Sequence, residues 1–594
     1  MPKTALKPRR VKRAPASQEP LIVTQPYLKA AQVLLIAAIT LLVCIELYSP
    51  SLHGLLFFDD FGLPLAQPEA SHLPLAIWLS GVRPVLMLSY LLNSWMGGRE
   101  TFAYHFTNLL IHTANTGLVF AIALRLLLLA GCAFRNRVIL ASLAGAIFLI
   151  HPLQTESVSY IAGRSESLGS FFVLAAWTVF LYRKQNEITW PVSIAVLALS
   201  ALAAGSKENM IAVAGLLLLT DFFWNHPFSL RGIGGNWRLY VPLGVGSAAL
   251  LAWVIRILAE SHSAGFGATN FTPANYFLTQ SRVLWEYVRL FLFPTNQSID
   301  HDFSTSHTVF EHGAILAILA WSALIWLAIR ERNRHPLACF GLFVFLIALA
   351  PTSSVVPIAD AMVERRMYLP LFGLALIVCD LLKRAKLTWL VLSALSCVLL
   401  FYGVDTYRRN QLWAKPFAFW LEAVEQTPLK GRTYVQLAGA ANREGQCRQV
   451  QPYFDRVQSQ MQHDEWFLHA RAVLYECTGN LNAAMDSLQK AVAIKPDASM
   501  FELQGLLYGE MGKMAESKVA LDKAIALAPK SLNPDQPFES RGYWYEVTRH
   551  YPEAIHDYKA ALALNKSNYQ ARSRLSALTG SEHKTRFRRE TASP

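Results

Sequence analysis

Charged residues are scarce in this sequence: Asp, Glu, Lys and Arg make up 16% of its 594 residues, whereas 53% are hydrophobic. Soluble domains carry about 25% charged residues, so the deficit indicates membrane-spanning segments. A chain this apolar would collapse in water, which excludes an intrinsically disordered protein. Seven cysteines without a CxxC pair exclude a disulfide-rich scaffold and provide no zinc or redox motif.

Several catalytic motifs are also missing. The sequence contains no HExxH metalloprotease motif and no GxxxxGK[ST] phosphate-binding loop. The stretch from Gly163 to Ser167 departs from the GxSxG nucleophile elbow at its last position. These absences argue against a zinc protease, a P-loop nucleotide hydrolase and an α/β-hydrolase.

Long apolar runs are what the sequence has in abundance. The run from Ala30 to Tyr48 is about 19 residues long, enough to span the roughly 30 Å hydrocarbon core of a bilayer. No A-x-A cleavage site follows it, so we expect an uncleaved anchor after a basic tail, residues 1–28. With this run the sequence predicts about eleven transmembrane helices. The others lie at residues 105–129, 138–150, 166–182, 190–204, 209–224, 239–258, 313–330, 337–351, 367–382 and 387–404.

Basic residues indicate the orientation of these segments. With the N-terminus in the cytoplasm, each predicted cytoplasmic loop carries a basic pair or triplet, as the positive-inside rule requires. Examples are the pairs Arg135 and Arg137, and Arg183 and Lys184, and the triplet Arg330, Arg332 and Arg334. Much of the formal net charge of +13 therefore records orientation rather than binding of nucleic acid. An odd number of spans places the C-terminal part outside the cytoplasm, and we expect a multi-pass inner (plasma) membrane protein with that part in the periplasm.

From about residue 430 the pattern becomes amphipathic and repetitive. Gly445, Gly479 and Gly512 are spaced by 34 and 33 residues. This period is typical of tetratricopeptide repeats, and the alternative is a generic helical bundle. Cys447 and Cys477 could form a disulfide if this part lies in an oxidising compartment, although both also fit helix-packing positions.

Two adjacent carboxylates, Asp59 and Asp60, stand out on the predicted outer face. Charged groups near a bilayer are costly, so we treat them as functional candidates. Neighbouring carboxylates repel each other, and partial desolvation raises the pKa of at least one, which suits a general base. We assign the base to Asp59 or Asp60, with Asp59 preferred. The alternative is that they cap a helix at the membrane surface.

Other polar side chains accompany this pair on the same face. Four cations are suited to an anionic group such as a phosphate, or alternatively pair with nearby glutamates for stability: Arg164, Lys207, Arg365 and Arg366. His105 with Asp59 and Asp60 could hold a divalent metal, whereas hydrogen bonding between helices is the alternative role for His105 and His112.

In order and architecture, the chain resembles the transmembrane and tetratricopeptide-repeat O-mannosyltransferases, in a compact bacterial-type form. These are GT-C glycosyltransferases, related in fold to the protein O-mannosyltransferases. The matching stretches are Phe58-Asp59-Asp60, Arg83-Pro84, Tyr104 to His112, His151 to Glu156, Ala162 to Glu166, Lys207-Glu208, Pro294 to Asp300 and Glu364 to Pro370. Animal members carry many more repeats, whereas about four units fit here.

The resemblance implies an all-α protein in five parts. These are a basic cytoplasmic tail (1–28), a GT-C-like membrane domain (29–407), a linker (408–430), a tetratricopeptide solenoid of about four units (431–577) and a basic disordered tail (578–594).

It also implies an enzyme that moves a sugar, mannose or another hexose, from a polyprenyl-phosphate carrier to an acceptor hydroxyl at the outer face. Ser or Thr of a protein bound through the repeats would be the acceptor, and no nucleic acid is expected. Asp59 with Asp60 would be catalytic. We expect a single displacement that inverts the anomeric configuration, whereas a covalent sugar intermediate on the same carboxylate pair would retain it. A divalent metal could also stabilise the departing phosphate, but the sequence does not require one. The expected supporting residues are Arg83, His105, His112, Glu156, Glu166, Glu208, Asp300, Glu364 and Tyr368.

Two other classes compete with this interpretation. A non-enzymatic membrane scaffold for envelope assembly would explain the repeats but not the charged outer loops. A transporter of lipid-linked sugars would place its charges near mid-membrane, whereas these lie at one face.

Overall fold

The computed structural model of the protein describes residues 30–590 apart from 68–69, 80, 99, 185–186, 226, 261–270, 385–387 and 531–532. Over these ranges the chain forms helices and connecting loops and contains no strand, in agreement with the predicted all-α class. The basic tail predicted at residues 1–28 lies outside the described residues.

The first part of the chain is a bundle of helices that carries the apolar runs. Its α-helices are α1 (Ala30–Tyr48), α2 (Leu75–Trp78), α3 (Pro84–Gly97), α4 (Thr101–Leu129), α5 (Phe134–Ile150), α6 (Thr155–Val158), α7 (Arg164–Leu181), α8 (Trp190–Ser206), α9 (Ala212–Trp224), α10 (Arg231–Gly235), α11 (Trp237–Glu260), α12 (Pro273–Leu292), α13 (Ala314–Arg330), α14 (Pro336–Leu349), α15 (Pro370–Lys383) and α16 (Trp389–Trp413). Short 3₁₀ helices lie in the loops at Ser49–Ser51, Phe58–Gly62, Pro64–Ala66, Ala70–His72, Pro152–Gln154, Glu208–Ile211, Glu311–Gly313 and Glu364–Met367.

This bundle makes the chain a membrane protein. Within the described ranges, five helices are long and apolar enough to cross a bilayer: Ala30–Ser51, Thr101–Leu129, Trp237–Ile257, Glu311–Arg330 and Trp389–Trp413. A sixth would be α5 together with Pro152–Val158, which are bent by 54°. Within the described ranges the predicted apolar segments lie largely on helices, but the predicted count of eleven spans is not confirmed. Several of the helices, α8 and α14 among them, are shorter than 18 residues.

The core of the bundle lies among α4, α5, α7, α9, α14 and α15. Trp177 of α7 is fully buried there, with its ring centroid 5.8 Å from that of Phe372 and 6.0 Å from that of Phe340. Its indole N–H donates to the Thr220 hydroxyl at 2.9 Å, so the one polar atom of the ring has a partner inside the apolar core.

The second part of the chain consists of antiparallel helix pairs. After α17 (Pro416–Gln426) these are α18 (Gly431–Arg443) with α19 (Cys447–Val457), α20 (Glu465–Cys477) with α21 (Leu481–Ile494), α22 (Ala498–Glu510) with α23 (Met514–Leu527) and α24 (Gln536–Val547) with α25 (Tyr551–Leu564), followed by α26 (Tyr569–Glu590). A 3₁₀ turn lies at Ala528–Lys530. Gly445, Gly479 and Gly512 sit in the turns within three of the pairs, where φ values of 68°, 80° and 75° favour glycine. The 33- to 34-residue period in the sequence is thus the number of residues from one of these turns to the next.

Two of the predicted boundaries differ from the structure. Residues 408–430, predicted as a linker, are largely helical, because α16 runs on to Trp413 and α17 buries Phe419 and Trp420. The tail predicted to be disordered from residue 578 continues as α26 up to Glu590. In the first case buried aromatic residues stabilise helix where the polar composition predicted a connector.

A disulfide joins Cys447 to Cys477 across the first two helix pairs. It closes a loop of 30 residues, and disulfides persist in oxidising compartments. The sequence left open whether these two cysteines form a disulfide, and in the structure they do.

We expect the double variant Cys447→Ala/Cys477→Ala to lose about 3 kcal/mol of stability in the repeat half, because the cross-link restricts its unfolded state. Thermal unfolding of the purified protein, with and without reductant, measures this. Cys397→Ala is the control, since Cys397 is a free, exposed cysteine on α16. Equal unfolding temperatures for wild type and the double variant under oxidising conditions would contradict the stabilising role.

Candidate functional site

The loops that carry the predicted site residues converge at one end of the bundle. The 3₁₀ helix Phe58–Gly62 contacts the loop 159–163, since the amide of Ala162 donates to Asp60 Oδ1 at 2.8 Å. The short helix α6, just before that loop, contacts the 3₁₀ helix Glu364–Met367 through Glu156 and Arg365. Segments more than 200 residues apart in the sequence therefore form one polar surface.

Asp60 holds this surface together. It is buried, and each of its carboxylate oxygens accepts a backbone amide: Oδ2 from Phe57 at 3.0 Å and Oδ1 from Ala162 at 2.8 Å. Burial raises the pKa of Asp60 to about 8, against the lowering effect of the two amide hydrogen bonds. With both oxygens engaged, Asp60 ties the turn at Phe57 to the loop at Ala162.

Asp59 is the exposed member of the pair. Its backbone amide donates to the Tyr160 hydroxyl at 2.7 Å, and this hydrogen bond holds the backbone of Asp59 in place. Within the described ranges no hydrogen bond or ion pair engages its carboxylate. The preceding residue, Phe58, has a φ of 45°, a strained value for an aromatic residue. Such strain is concentrated at functional sites, where the surrounding structure enforces it.

An aromatic cluster fixes the other end of this turn. The ring of buried Phe57 stacks on Trp420 with centroids 5.3 Å apart, and lies 4.9 Å from Phe419 and 5.5 Å from Trp413. Tyr160 stacks on Trp413 at 5.7 Å. The turn that carries Asp59 is therefore packed against α16 and α17, which lead into the repeats.

Gly163 allows the close packing of the loop before α7. A Cβ atom at this position would lie 2.2 Å from the carbonyl oxygen of Glu156 and 2.9 Å from that of Tyr160. Only glycine fits here without moving the loop that receives Asp60.

Arg365 is a predicted phosphate-binding cation whose pKa is influenced by the charge of Asp59. Its Nη1 donates to Glu156 Oε1 at 2.9 Å and its backbone amide donates to Oε2 at 2.8 Å. Its side chain keeps 23% of its surface exposed, and within the described ranges its Nε and Nη2 make no hydrogen bond. The charges of Glu156, Tyr160 and Asp59 hold the pKa of Arg365 above its usual range, although burial opposes them.

Two ion pairs lie beside Arg365. Lys207 Nζ lies 2.5 Å from Glu166 Oε1, and Arg83 makes a two-point contact with Glu208 at 2.9 and 2.6 Å. Burial acts to raise the pKa of Glu208, but the charge and hydrogen bonds of Arg83 lower it to about 2. Both pairs are mostly buried, so this part of the surface is a network of alternating charges.

Arg164 and Arg366 have different surroundings from the other two cations. Arg164 is fully buried and donates to Asn108 Oδ1 at 2.5 Å, to Ser89 at 3.2 Å and to the Tyr104 carbonyl at 2.8 Å. Arg366 donates to the carbonyls of residues 360 and 361. All three guanidinium nitrogens of Arg164 and both Nη atoms of Arg366 donate to acceptors within the chain, so both arginines hold helices and loops together.

The predicted histidines and Tyr368 form hydrogen bonds between helices. His112 Nε2 donates to the Leu149 carbonyl at 3.0 Å, and its Nδ1 accepts from the Tyr368 hydroxyl at 2.8 Å. His105 Nε2 lies 3.2 Å from the Gly54 carbonyl. All three side chains are buried, so they bind α4 to its neighbours.

The predicted metal set is not brought together. Both oxygens of Asp60 accept amides and His105 Nε2 donates to a carbonyl, whereas His105 Nδ1 and the Asp59 carboxylate have no hydrogen-bond partner within the described ranges. Across the ranges that the structure describes, no group of three His, Cys, Asp or Glu side chains is arranged to hold a metal ion.

A second polar cluster joins the outer loops to the repeats. Arg432 of α18 makes a two-point contact with buried Asp300 at 2.7 and 2.6 Å and reaches Asp360 at 2.7 Å. Lys430 pairs with the same Asp300 and donates to the His301 carbonyl at 2.6 Å. Burial acts to raise the pKa of Asp300, but the hydrogen bonds and charges of Arg432 and Lys430 lower it.

Glu364 connects this second cluster to the first. Its buried carboxylate accepts from the side chain of Gln297 and the amide of Ser298, each at 2.7 Å, and lies 2.8 Å from His301 Nε2. Arg365 is the next residue in the chain. Asp300, His301, Glu364 and Arg365 thus form a continuous polar path from the repeats towards Asp59.

Comparison with known proteins identifies the relatives of this chain. The tetratricopeptide repeat family model matches residues 467–497 and 498–531. Protein O-mannosyl-transferase TMTC3 of Homo sapiens is 23% identical over 572 residues, covering 86% of this chain and 60% of that protein. Protein O-mannosyl-transferase Tmtc3 of Drosophila melanogaster is 24% identical over 474 residues, covering 68% of this chain and 50% of that protein. The resemblance predicted from the sequence is confirmed.

The chain spans about half the length of the curated relatives it matches. Among solved structures, ArnT from Cupriavidus metallidurans bound to undecaprenyl phosphate aligns over 78% of this chain and 80% of its own, with 14% identity and a TM-score of 0.37.

Sequence reasoning missed several residues that shape the site. Tyr160 receives the amide of Asp59, and Lys430 and Arg432 neutralise Asp300. Tyr160 lies between two matching stretches, His151 to Glu156 and Ala162 to Glu166, so its position could have drawn attention. Nothing local to Lys430 or Arg432 indicates that they reach a loop 130 residues earlier.

The raised pKa of Asp60 gives a testable pH dependence. An aspartate in the unfolded chain titrates near about 3.9, so between about pH 4 and pH 8 the unfolded state loses a proton that the folded state keeps. The stabilising contribution of Asp60 is therefore complete below pH 4, falls as pH rises and is lost above about pH 8. We expect the melting temperature of wild type to fall more steeply than that of Asp60→Asn between pH 5 and 8. Parallel slopes, measured by differential scanning fluorimetry in detergent, would contradict this assignment.

Proposed function

We propose that this protein is a membrane glycosyltransferase. In this proposal it moves a hexose, mannose in view of the names of its relatives, from a polyprenyl-phosphate carrier to a Ser or Thr hydroxyl of a protein acceptor. The observation that carries the proposal is the exposed carboxylate of Asp59, held in a strained turn and free of partners within the described ranges, with its charge acting on the pKa of the partly exposed Arg365. A base next to a cation is the arrangement that glycosyl transfer from a phosphate requires.

In the proposed reaction Asp59 accepts the proton of the acceptor hydroxyl. As that proton leaves, the acceptor oxygen forms a bond to the anomeric carbon of the sugar, and the bond from this carbon to the phosphate oxygen breaks. The electron pair of the broken bond leaves with the polyprenyl phosphate, which departs as an anion and needs no acid. A single displacement of this kind inverts the anomeric configuration.

Arg365 is the cation best placed to stabilise the departing phosphate. Its Nε and Nη2 remain available, whereas its Nη1 is held by Glu156. Lys207 and Arg83 add positive charge to the same surface, but each is already paired with a glutamate. Their role in the proposal is to balance Glu166 and Glu208, so that the net negative charge near the donor phosphate stays small.

The proposal places this reaction on the side of the membrane away from the cytoplasm. The basic loops lie at the other ends of the helices: Lys383 Nζ donates to the Ala130 carbonyl at 2.6 Å, and Arg183 pairs with Asp221 at 2.9 Å. The positive-inside rule then assigns those ends to the cytoplasm. The disulfide between Cys447 and Cys477 supports the same orientation, because the repeats would lie in an oxidising compartment.

A cleft between the two halves is the proposed binding site for the acceptor. It has a volume of about 740 Å³ and is lined by Ser298, His301 and Asp302 from the outer loop and by residues 425–429 at the end of α17 and just after it. His301 is hydrogen-bonded to Glu364, the neighbour of Arg365. An acceptor peptide in this cleft would lie next to the polar path that leads to Asp59.

The second candidate is a non-enzymatic scaffold for envelope assembly. The tetratricopeptide repeats favour it, because such repeats commonly bind partner proteins. A scaffold needs no strained turn that presents an exposed carboxylate, and this observation favours the enzyme.

We expect Asp59→Asn to lower the rate of transfer by about 10²- to 10⁴-fold, because the amide cannot accept the proton. Its melting temperature should remain that of wild type, since the carboxylate is exposed. The assay incubates purified protein in detergent with labelled polyprenyl-phosphate mannose and a Ser/Thr-rich peptide, and detects the glycosylated peptide by mass spectrometry.

Glu100→Gln is the matched control for this experiment, as Glu100 is an exposed acid in an outer loop outside the charge network. It should transfer sugar at the wild-type rate. Full activity of Asp59→Asn would remove Asp59 as the base. A wild-type protein that forms no glycosyl product with any donor would support the scaffold instead.

The acceptor cleft has its own test in Leu429→Asp. Leu429 lines the cleft and is 52% exposed, so the change should leave packing intact but raise the KM for a protein acceptor by about tenfold through lost apolar contact. Hydrolysis of the sugar donor by water should not change. Val519→Asp on α23 is the control, with a similarly exposed side chain (55%) far along the repeats. An equal KM for Leu429→Asp and wild type would place the acceptor elsewhere.

A further inference from the structure

An apolar groove runs along the outside of the bundle between α1, α4 and α5. It has a volume of about 1010 Å³ and is lined on its α1 side by residues such as Val33 and Val43, and on its α5 side by residues from Phe134 to Ile150. Helix α1 contributes one wall while remaining largely exposed. The groove therefore opens towards the space that lipid fills.

Most polar atoms on the walls of this groove are already satisfied. The hydroxyls of Thr40, Thr113, Thr116 and Thr178 each donate to a backbone carbonyl four residues earlier in the same helix. The threonines thus present methyl groups to the groove. Over this stretch the walls suit an acyl chain and offer a polar ligand little to bind.

One end of the groove is different, because two arginines lie there. Arg137, near the start of α5, is buried, with 3% of its surface exposed, yet its Nε and Nη1 have no hydrogen-bond partner. Within the described ranges it forms no ion pair either. Its guanidinium packs against the ring of Phe134, with the central carbon 5.1 Å from the ring centroid.

Arg125, near the end of α4, lines the same end of the groove. Its Nε donates to the Leu181 carbonyl at 3.3 Å, and its guanidinium lies 5.7 Å from the ring centroid of Tyr182. Tyr182 in turn donates to the Ala121 carbonyl at 2.9 Å. These contacts hold a second positive charge beside that of Arg137.

A buried guanidinium with unsatisfied donors is costly unless an anion completes its hydrogen bonds. Arginine presents its donors in a planar fork that matches phosphate oxygens. We propose that this groove binds a phospholipid with an anionic headgroup, whose phosphate contacts Arg137 and whose acyl chain lies along α4 and α5. The lipid supplies the acceptors that Arg137 lacks in the chain itself.

The position of the arginines separates this site from the candidate active site. Tyr104 and Arg125 are 21 residues apart on α4, which corresponds to about 30 Å along the helix. The arginines lie at the end of α4 and the start of α5, among the basic loops, whereas the loops around Asp59 lie at the other end. The proposed ligand is thus a lipid of the leaflet that faces the basic loops, and it does not enter the transfer reaction.

Three variants test the site in the full-length protein. Arg137→Gln removes the charge and most of the donors. Gly117→Leu fills the groove: Gly117 lines it on α4, and a Cβ atom there would meet no other atom within 4 Å. Arg135→Gln is the matched control, because Arg135 is an exposed arginine two residues from Arg137 that does not line the groove. Melting temperatures in lipid-free detergent show that each variant is folded.

The measurement is native mass spectrometry in detergent with phosphatidylglycerol or phosphatidylcholine of the same acyl chains. We expect wild type and Arg135→Gln to retain phosphatidylglycerol about tenfold better than phosphatidylcholine. Arg137→Gln should lose this preference, and Gly117→Leu should lose bound lipid while keeping both arginines. Millimolar inorganic phosphate should not displace the phosphatidylglycerol, because the acyl chain contributes to binding.

Four results would overturn the proposal. Equal retention of the two lipids by wild type would remove the anionic requirement. Equal loss in Arg135→Gln and Arg137→Gln would reduce the effect to the general charge of the loops. Unchanged binding by Gly117→Leu would exclude the groove as the place of the acyl chain. Displacement by an equimolar amount of polyprenyl phosphate would exclude the assignment to a phospholipid.

Discussion

The arrangement of the candidate site depends on the two backbone amides that Asp60 accepts. One oxygen ties the turn after α1 to itself through Phe57, and the other ties this turn to the loop before α7 through Ala162. Between these two hydrogen bonds lies Phe58 with its positive φ, and beside it Asp59 faces outwards. The buried carboxylate thus enforces a backbone conformation that the chain would otherwise avoid, and this conformation exposes its neighbour.

Asp59 and Asp60 have identical side chains, and the difference between them is a difference in burial. Asp60 is surrounded by protein and shifted towards its neutral form, whereas Asp59 remains at the surface, next to the charge of Arg365. Around them, most other charges are matched one to one across loops, as in the pairs of Lys207 with Glu166 and of Arg83 with Glu208. Among the described residues of this surface, Asp59 differs from these paired groups because no hydrogen bond or ion pair engages its carboxylate.

Much of this could be predicted from the sequence, for reasons that differ between the elements. Apolar runs indicate the helices of the bundle, because burial requires apolar residues. The 33- to 34-residue period indicates the helix pairs, because their close packing requires particular residues at regular positions. The number of spans was harder, since helices such as α8 and α14 are apolar but short. The Asp59–Asp60 pair was recognisable as a motif, but which member is buried depends on Ala162, a contact across 102 residues. The buried roles of Arg164 and His112 were equally hidden, because a cation or a histidine in a helix does not reveal its acceptors.

Asp300 has a consequence for how the two halves of the chain came to be joined. It belongs to an outer loop of the membrane half, is buried, and has its charge compensated by Lys430, just before the first repeat helix, and by Arg432 within that helix. Without the repeats this carboxylate would lie uncompensated beside Asp360, so the membrane half is electrostatically incomplete on its own. A recombination event that brought other repeats to this bundle would have to supply two cations at the same place. The contact at Asp300 therefore restricts which repeat domains could be joined to this bundle, and the sequence of either half alone does not reveal this restriction.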